Sequence, residues 1–348
     1  MRHKWVNSLL FVLVTAELVT GAVGLATGSA GKSFFLKAHL IGAFAILAIA
    51  GWKVALAVHS LRRPIRSRPR RAALLFAGLL IATLALGAYW SMGGYWRLAG
   101  TSGMTLHVLV GAAVAPFMAW HAWKYTRGLQ TGYSADRRAA LRLIGAAGIG
   151  ALAWWVTESS ARTLSLGSAS RRFTGSYERG SFAGNGFPTT SWLNDGPAPV
   201  DARTWRLTVS GAVERPLQLD YAALDRDARL ALPTSTVTAT LDCTGGWYST
   251  QRWAGVRLGD LLERAGVLEG ARSVKAGSVT GYWRRFPIED AREFLLATHV
   301  SGELLSHRHG APVRLVAPGR RGYDWVKWVT SVTVETVPAW LQPPLPVQ

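Results

Sequence analysis

The 348-residue chain holds a single cysteine, Cys243. One thiol excludes any intramolecular disulfide and any Cys-rich zinc or iron–sulfur site. Acidic residues are nearly missing from the first half. Residues 1–169 carry 18 Lys and Arg against 3 Asp and Glu, an excess of +15; residues 170–348 carry 21 against 17, an excess of +4, and the two sum to the formal +19 of the chain. So basic a protein invites a nucleic-acid reading. The arginines crowd the ends of apolar runs instead, which is the pattern membrane topology produces, and no nucleic-acid partner is expected. Long apolar runs and any regular βαβ alternation are in turn absent from the second half.

What the first half does hold is five apolar stretches, at about 6–27, 35–59, 73–92, 104–124 and 140–157. A helix needs roughly 20 apolar residues to cross a bilayer. The fifth stretch is shorter and rich in Gly and Ala, so it reads either as a span or as a buried helix of a soluble domain. The loop at 60–71 holds six arginines and residues 124–142 hold five Lys and Arg, whereas the alternate loops carry only Lys32 and Lys37, or Arg97. Positive residues stay inside, so the arginine loops and the N-terminus are expected in the cytoplasm of a bacterial cell. Five crossings then place everything after about residue 160 outside it. Arg137 and Arg138, ahead of the mildly apolar fifth stretch, either resemble an internal twin-arginine export signal or serve as ordinary positive-inside residues.

Ionisable side chains inside membrane helices are costly and mark function. Four histidines lie in or beside these stretches: His39 and His59 in the second, His107 and His121 in the fourth. The second and fourth stretches run in the same direction. His39 and His107 sit close to the outer end of each, at matching depth, where two imidazoles could clamp one haem iron. His107 and His121, 14 residues apart, share a helix face at about 40° separation, while His39 and His59 nearly oppose one another. His59 could equally be an interfacial residue beside Arg62. With the small residues Gly42, Ala43, Gly111 and Ala112, this half resembles a membrane cytochrome b four-helix bundle. The resemblance implies haem b on His39 and His107, with His121 as a further cofactor residue, and leaves open none, one or two haems. Trp52, Trp96, Trp120 and Trp123 read as interface residues.

From about residue 170 short strand signals begin. "WRLTVSGAV" (205–213), "VTATLDC" (237–243), "PVRLVAPG" (312–319) and "WVTSVTVETV" (328–337) read as strands. "VRLGDLLERAG" (256–266) reads as an amphipathic helix stopped by glycine. This mixture predicts an α+β domain, so the chain divides into a helical membrane domain over 1–160, a linker over 161–184 and a second domain over 185–348.

The stretch "LDCTGGWYST" (241–250) places Cys243 between a strand and a Gly-Gly-Trp turn. Alone, such a cysteine is as readily a buried small hydrophobe. Its neighbours decide otherwise. The ordered motifs "WRLTVSGAVERPLQLDYAAL", "LDCTGGWYSTQRWAGVRLGDLLERAG" and "HGAPVRLVAPGRRGYDWVKWV" resemble the sulfite-oxidase-type molybdopterin domain over nearly all of 185–340. The resemblance implies that Cys243 is the protein ligand of molybdenum, a soft thiolate for such a metal. It further implies that Thr244, His309, Gly310 and Arg314 line the cofactor. Arg321, Gly322, Lys327 and Trp328 would reach its pterin and phosphate, Asn185 would open the cofactor cradle, and Trp247 and Tyr248 would either wall the substrate pocket or pack the core. Sulfite-oxidising members follow the cysteine with an asparagine and paired arginines, which are missing here. Periplasmic methionine-sulfoxide reductases carry a glutamate where this chain has Gly245, followed by the Gly-Trp it keeps as Gly246-Trp247. The second pattern is nearer, and the chain looks like such a catalytic subunit fused to its haem-bearing membrane partner.

The expectation is a membrane-bound molybdenum–molybdopterin enzyme that reduces an S-oxide or N-oxide of small size with electrons from the quinone pool through haem b. A rival is the oxidation of sulfite or another small donor with electrons passed inward, or a haem-free anchored enzyme. A non-catalytic membrane sensor that keeps the outer fold is opposed by the retained cysteine.

Overall fold

The computed structural model describes residues 4–61, 68–125, 137–191, 195–224 and 233–346. The chain divides into two compact units, residues 1–177 and 178–348.

In the first unit the apolar stretches become five helices: α1 (Lys4–Ala26), α2 (Phe34–Leu61), α3 (Arg68–Gly93), α4 (Gly103–Tyr125) and α5 (Arg137–Thr163). All five are long and apolar enough to cross a membrane. Helices α3 and α5 outrun their apolar stretches by several residues, taking in flanking arginines that continue a helix without adding hydropathy. A short hairpin, β1 (Arg97–Leu98) and β2 (Thr101–Ser102), joins α3 to α4. Leu9, Leu13, Val14, Ala45, Ile46, Val114, Met118 and Ala146 form the buried seam between helices. Helix α2 approaches α5 so closely that a Cβ on Gly150 would lie 2.2 Å from the Ile41 carbonyl oxygen; small residues are what allow helices to pack at that distance. Trp96, read as an interface residue, lies between α3 and α4 and packs over Gly103, whose Cβ would fall 2.3 Å from the indole. The side chain of Trp52 lies outside the described residues. The segment expected as a linker, 161–184, is structured where it leaves α5. The Trp90 indole donates to the Gly175 carbonyl at 2.9 Å, and the Tyr177 hydroxyl to the Trp90 carbonyl at 2.8 Å. The division falls after Tyr177, at the two-residue strand β3 (Tyr177–Glu178).

The second unit holds two sheets. One contains β6 (Thr234–Asp242), β7 (Trp247–Arg257), β10 (Leu295–Val300), β11 (Glu303–Leu304) and β12 (Arg314–Val316); the other runs β5 (Leu217–Asp220), β4 (Arg206–Gly211), β13 (Val329–Glu335), β8 (Ser273–Ser278) and β9 (Trp283–Pro287) in that order. Pairing in the second sheet is antiparallel except for β4 with β13. Three short helices complete the unit: α6 (Tyr221–Leu224), α7 (Leu258–Ala265) and α8 (Ile288–Arg292). Helix α7 is the expected amphipathic one. It buries Leu258, Leu261 and Leu262, and it ends where Gly266 turns left-handed at φ 69°, a conformation glycine adopts without steric cost. The expected α+β class is what forms.

The two long strands β6 and β7 pair over nine positions, from Thr234 with Val256 to Asp242 with Tyr248. On the other edge of β7, β10 passes so near that a Cβ on Gly255 would sit 2.0 Å from the Leu296 carbonyl oxygen. Trp253 beside it is fully buried. Gly255→Ala is therefore expected to cost about 1–3 kcal/mol by forcing these strands apart, read as a lowered unfolding temperature of the second unit.

Candidate functional site

The thiol sits in the loop of the β6–β7 hairpin. The Cys243 N–H donates to the Trp247 carbonyl at 2.9 Å, and the Gly246 N–H to the Cys243 carbonyl at 3.1 Å. Gly246 has φ +83°. This is a three-residue loop, Thr244 to Gly246, closed by a left-handed glycine, one of the common hairpin connections. The geometry holds Cys243 Sγ inward, where the Gly245 N–H donates to it at 3.3 Å. The Thr190 hydroxyl also hydrogen-bonds the sulfur, and accepts in turn from the Trp247 indole at 3.2 Å. Burial pushes the Cys243 thiol up, with the Gly245 N–H, Thr190 and Arg321 opposing. A metal cation at the sulfur would reverse that preference by replacing the proton.

A second segment, 79 residues on, braces the loop. Arg321 Nη1 donates to Asp242 Oδ1 at 2.6 Å, and both side chains are almost fully buried. Gly322 lies against the backbone: a Cβ there would come within 3.1 Å of Cys243 Cα and 3.2 Å of the Asp242 carbonyl oxygen. Arg321 and Gly322 thus hold the cysteine turn in place. Asp242, the acid that completes this brace, was not singled out in the sequence, although it immediately precedes the cysteine.

Cys243 and Thr244 lie at the wall of a cleft of about 540 Å³, open mouth included, with Thr190, Asp195, Tyr282 and Lys327 around it. Arg314 lies behind it, 3% exposed. Its Nη1 donates to the His309 carbonyl at 3.0 Å and its guanidinium stacks over Trp253 and Trp325. Among the described residues no carboxylate pairs with Arg314, and its Nε is buried without a partner. Burial lowers its pKa to about 9. Lys327 reaches Ser191 at 3.4 Å, and burial, reinforced by Arg314, lowers it to about 8. A buried, unpaired guanidinium beside a second cation is costly without an anion. Together with one inward thiol, these residues fit a bulky anionic cofactor that carries a thiolate-binding metal.

Three expected residues lie elsewhere. His309 Nε2 donates to the Phe187 carbonyl at 3.0 Å and its Nδ1 accepts from Ser306 at 2.7 Å. Both nitrogens are spent, so it positions the Arg314 loop and does not line the cleft. Asn185 donates to Glu303 and the Leu304 carbonyl and accepts from the Ser306 N–H, a clamp that takes up both of its amide hydrogens. Tyr248 follows Trp247 on β7, and strand alternation sends the two to opposite faces; Trp247 backs the thiol and Tyr248 does not line the cleft. Tyr282 and Asp195, which do line it, come from segments with no motif of their own.

A second constellation lies in the helical unit. The rings of His39 on α2 and His107 on α4 have centroids 6.0 Å apart at an interplanar angle of 80°. His39 Nδ1 donates to the Glu17 carbonyl at 3.1 Å, and His107 Nδ1 to the Thr83 carbonyl at 2.9 Å. Four residues after each residue whose carbonyl accepts comes a glycine. A Cβ on Gly21 would lie 3.0 Å from His39 Cε1, and one on Gly87 2.9 Å from His107 Cε1. Residues four apart share a helix face, so each helix holds the imidazole with one turn and makes room for it with the next. Of the small residues expected beside a cofactor, Gly42 instead faces the Glu17 carboxyl and Gly111 a methyl of Thr83. Helices α2 and α4 carry His59 and His121, whose side chains lie outside the described residues.

Residues 195–340 match the model of the oxidoreductase molybdopterin binding domain family. The chain is 32% identical to a nitrate reductase (NADH) of Spinacia oleracea, over 41% of this chain and 19% of that protein. It is 34% identical to the mitochondrial sulfite oxidase of Mus musculus, over 40% of this chain and 31% of that protein. Among solved structures, the sulfane dehydrogenase SoxCD of Paracoccus pantotrophus matches at 30% identity over 40% of each chain, with a TM-score of 0.37. The chain thus spans under a third of the length of these curated relatives. Cys243, Arg314 and Lys327 all fall within residues 195–340, so the site lies in a region similar to a molybdopterin-binding oxidoreductase domain, the domain shared with the sulfite oxidase and nitrate reductase relatives.

Burial holds His309 down at about 4, below the ordinary 6.5. The unfolded chain therefore binds a proton between pH 6.5 and about 4 that the folded one refuses, and stability falls as pH falls through that window. A His309→Asn variant is expected to lose this component, a slope approaching about 1.4 kcal/mol per pH unit. Chemical unfolding of the second unit at a series of pH values measures it.

Proposed function

We propose that this chain is a membrane-bound oxidoreductase in which the second unit, outside the cytoplasm, exchanges an oxygen atom with a small substrate. The helical unit would carry electrons between that site and the quinone pool through haem b. The reaction proposed is reduction of an S-oxide or N-oxide. The observation that carries the reading is the inward thiol of Cys243 in a cleft backed by Arg314, a buried guanidinium with no carboxylate partner among the described residues.

When bound, molybdenum–molybdopterin supplies two-electron oxygen-atom chemistry. The chain supplies the rest. Cys243 gives a soft ligand whose donor strength is moderated by the Gly245 N–H and the Thr190 hydroxyl. Arg314 and Lys327 offset the negative charge of the cofactor, and Arg321 with Gly322 fixes the ligand turn. Thr244 and Tyr282 border the space left for substrate.

Haem b rests on the helical constellation. Metal-ligating histidines ordinarily donate their second ring N–H to a carbonyl or carboxylate, and both Nδ1 atoms here do so, leaving Nε2 for a metal. A centroid spacing of 6.0 Å leaves width for one metal atom and its two bonds. The arginine-rich loops support a cytoplasmic N-terminus.

Lys327 in the cleft favours a second reading, an oxyanion as substrate or product. The names of the relatives point the same way, one acting on nitrate and one on sulfite.

A screen of S-oxides, N-oxides, nitrate and sulfite with a viologen or dye mediator tests both readings. Cys243→Ser is expected to lose molybdenum and at least ~100-fold in rate on the accepted compound. Wild-type turnover and metal content in that variant would sink the proposal. His107→Ala is expected to abolish the b-type band in reduced-minus-oxidised spectra of membranes while sparing the dye-linked activity.

A further inference from the structure

The two histidine half-sites are built alike, with one difference. On α3, Thr83 holds His107 by its carbonyl and Gly87, four residues on, faces the ring. On α1, Glu17 holds His39 by its carbonyl and Gly21, four residues on, faces that ring. Glu17 adds its side chain as well: Oε2 lies 3.0 Å from His39 Nδ1, and Thr20 Oγ1 lies 3.3 Å from the same nitrogen. Glu17, Thr20 and Gly21 are spaced i, i+3 and i+4, so one face of α1 meets one imidazole.

The carboxyl is placed deliberately in steric terms. It is 13% exposed. A Cβ on Gly42 would lie 2.0 Å from Glu17 Oε1, so α2 leaves out a side chain where the carboxyl goes. Among the described residues no lysine or arginine pairs with it. Carboxylates inside apolar helices are expensive and are retained where a charge needs them. A ferric iron held by two neutral imidazoles in a dianionic macrocycle ring carries a net positive charge that the ferrous form lacks.

We propose that Glu17 is a positioning residue for His39 and the counter-charge of the oxidised haem, setting its potential below what two carbonyl-held histidines would give. The proposal rests on the haem reading above. The Glu17 carbonyl accepts from Nδ1 and fixes the tautomer that offers Nε2 to the metal, and the carboxyl, 3.0 Å from the same nitrogen, sets its charge beside the imidazole. It also makes the imidazole a stronger donor, which favours ferric over ferrous iron. The half-site on His107 lacks such a group, so the pair is electronically unequal.

The test uses the full chain in membranes or detergent, with equilibrium redox titration of the b-type band and low-temperature electron paramagnetic resonance. Glu17→Gln keeps the shape and a weaker acceptor. It is expected to retain haem, with the reduction equilibrium shifted at least tenfold toward the ferrous form, about 59 mV for a one-electron couple, and with altered ferric g-values. Gly42→Ala keeps the carboxyl but pushes it from its seat, and is expected to move the potential in the same direction. Haem-replete variants with the wild-type potential and g-values would overturn the role of Glu17 while leaving the haem reading intact. A folded wild-type protein with no b-type spectrum would overturn both.

Discussion

The thiol site depends on the ion pair between Asp242 and Arg321. Both groups are buried, and at 2.6 Å their charges offset one another where water cannot. Breaking such a pair leaves a lone buried charge, which is more damaging than never having had it. Its value here is geometric. Asp242 ends strand β6, Arg321 opens the segment that carries Gly322, and the residue between their contacts is Cys243. The pair pins the cysteine turn against a backbone that has no Cβ to spare. Thr190 and Trp247 then fix the sulfur from the other side.

The two units hold their side chains in two ways. In the second unit the holding groups come from segments far apart in sequence, so the site is a property of the completed tertiary fold. In the helical unit they come from adjacent turns of single helices, Glu17 with Gly21 and Thr83 with Gly87. Helical periodicity alone brings them to one face, and the same arrangement can be used twice. The carboxyl of Glu17 is what separates the two copies.

Much of this was legible in the sequence, and the gaps have physical causes. Membrane-length apolar runs announce helices because nothing else satisfies the backbone in an apolar setting. Histidines stood out for the same reason. Glu17 could have been found by that logic, since it is the first acidic residue of the chain and the next is Asp136. Gly21 and Gly87 could not, because small residues are everywhere in these runs and only packing shows which of them face a ring. The motifs around Cys243 drew attention to Arg314, Arg321, Gly322 and Lys327, although Arg321, expected at the pterin and its phosphate, pairs with Asp242. His309 and Asn185, expected at the cofactor, have hydrogen bonds taken up by Phe187, Ser306, Glu303 and Leu304, because a motif gives the position of a side chain and not where its hydrogen bonds go. Of the two places open to Tyr248, the alternation of its strand favours the face away from the thiol. Asp195, Thr190 and Tyr282 were not singled out, since two segments far apart in sequence bring them to one cleft.

The brace of the cysteine turn has a consequence for the order of events during synthesis. The β6–β7 hairpin leaves the ribosome well before Arg321, which follows Asp242 by 79 residues. Until that segment arrives, the hairpin has no ion pair, no Gly322 against its backbone and no Arg314 behind its sulfur. The only thiol of the protein is therefore least protected in the unfinished chain. Cofactor capture must wait for the last strands, so a truncated or stalled product would carry an exposed, oxidisable cysteine and no means of loading the metal that would shield it.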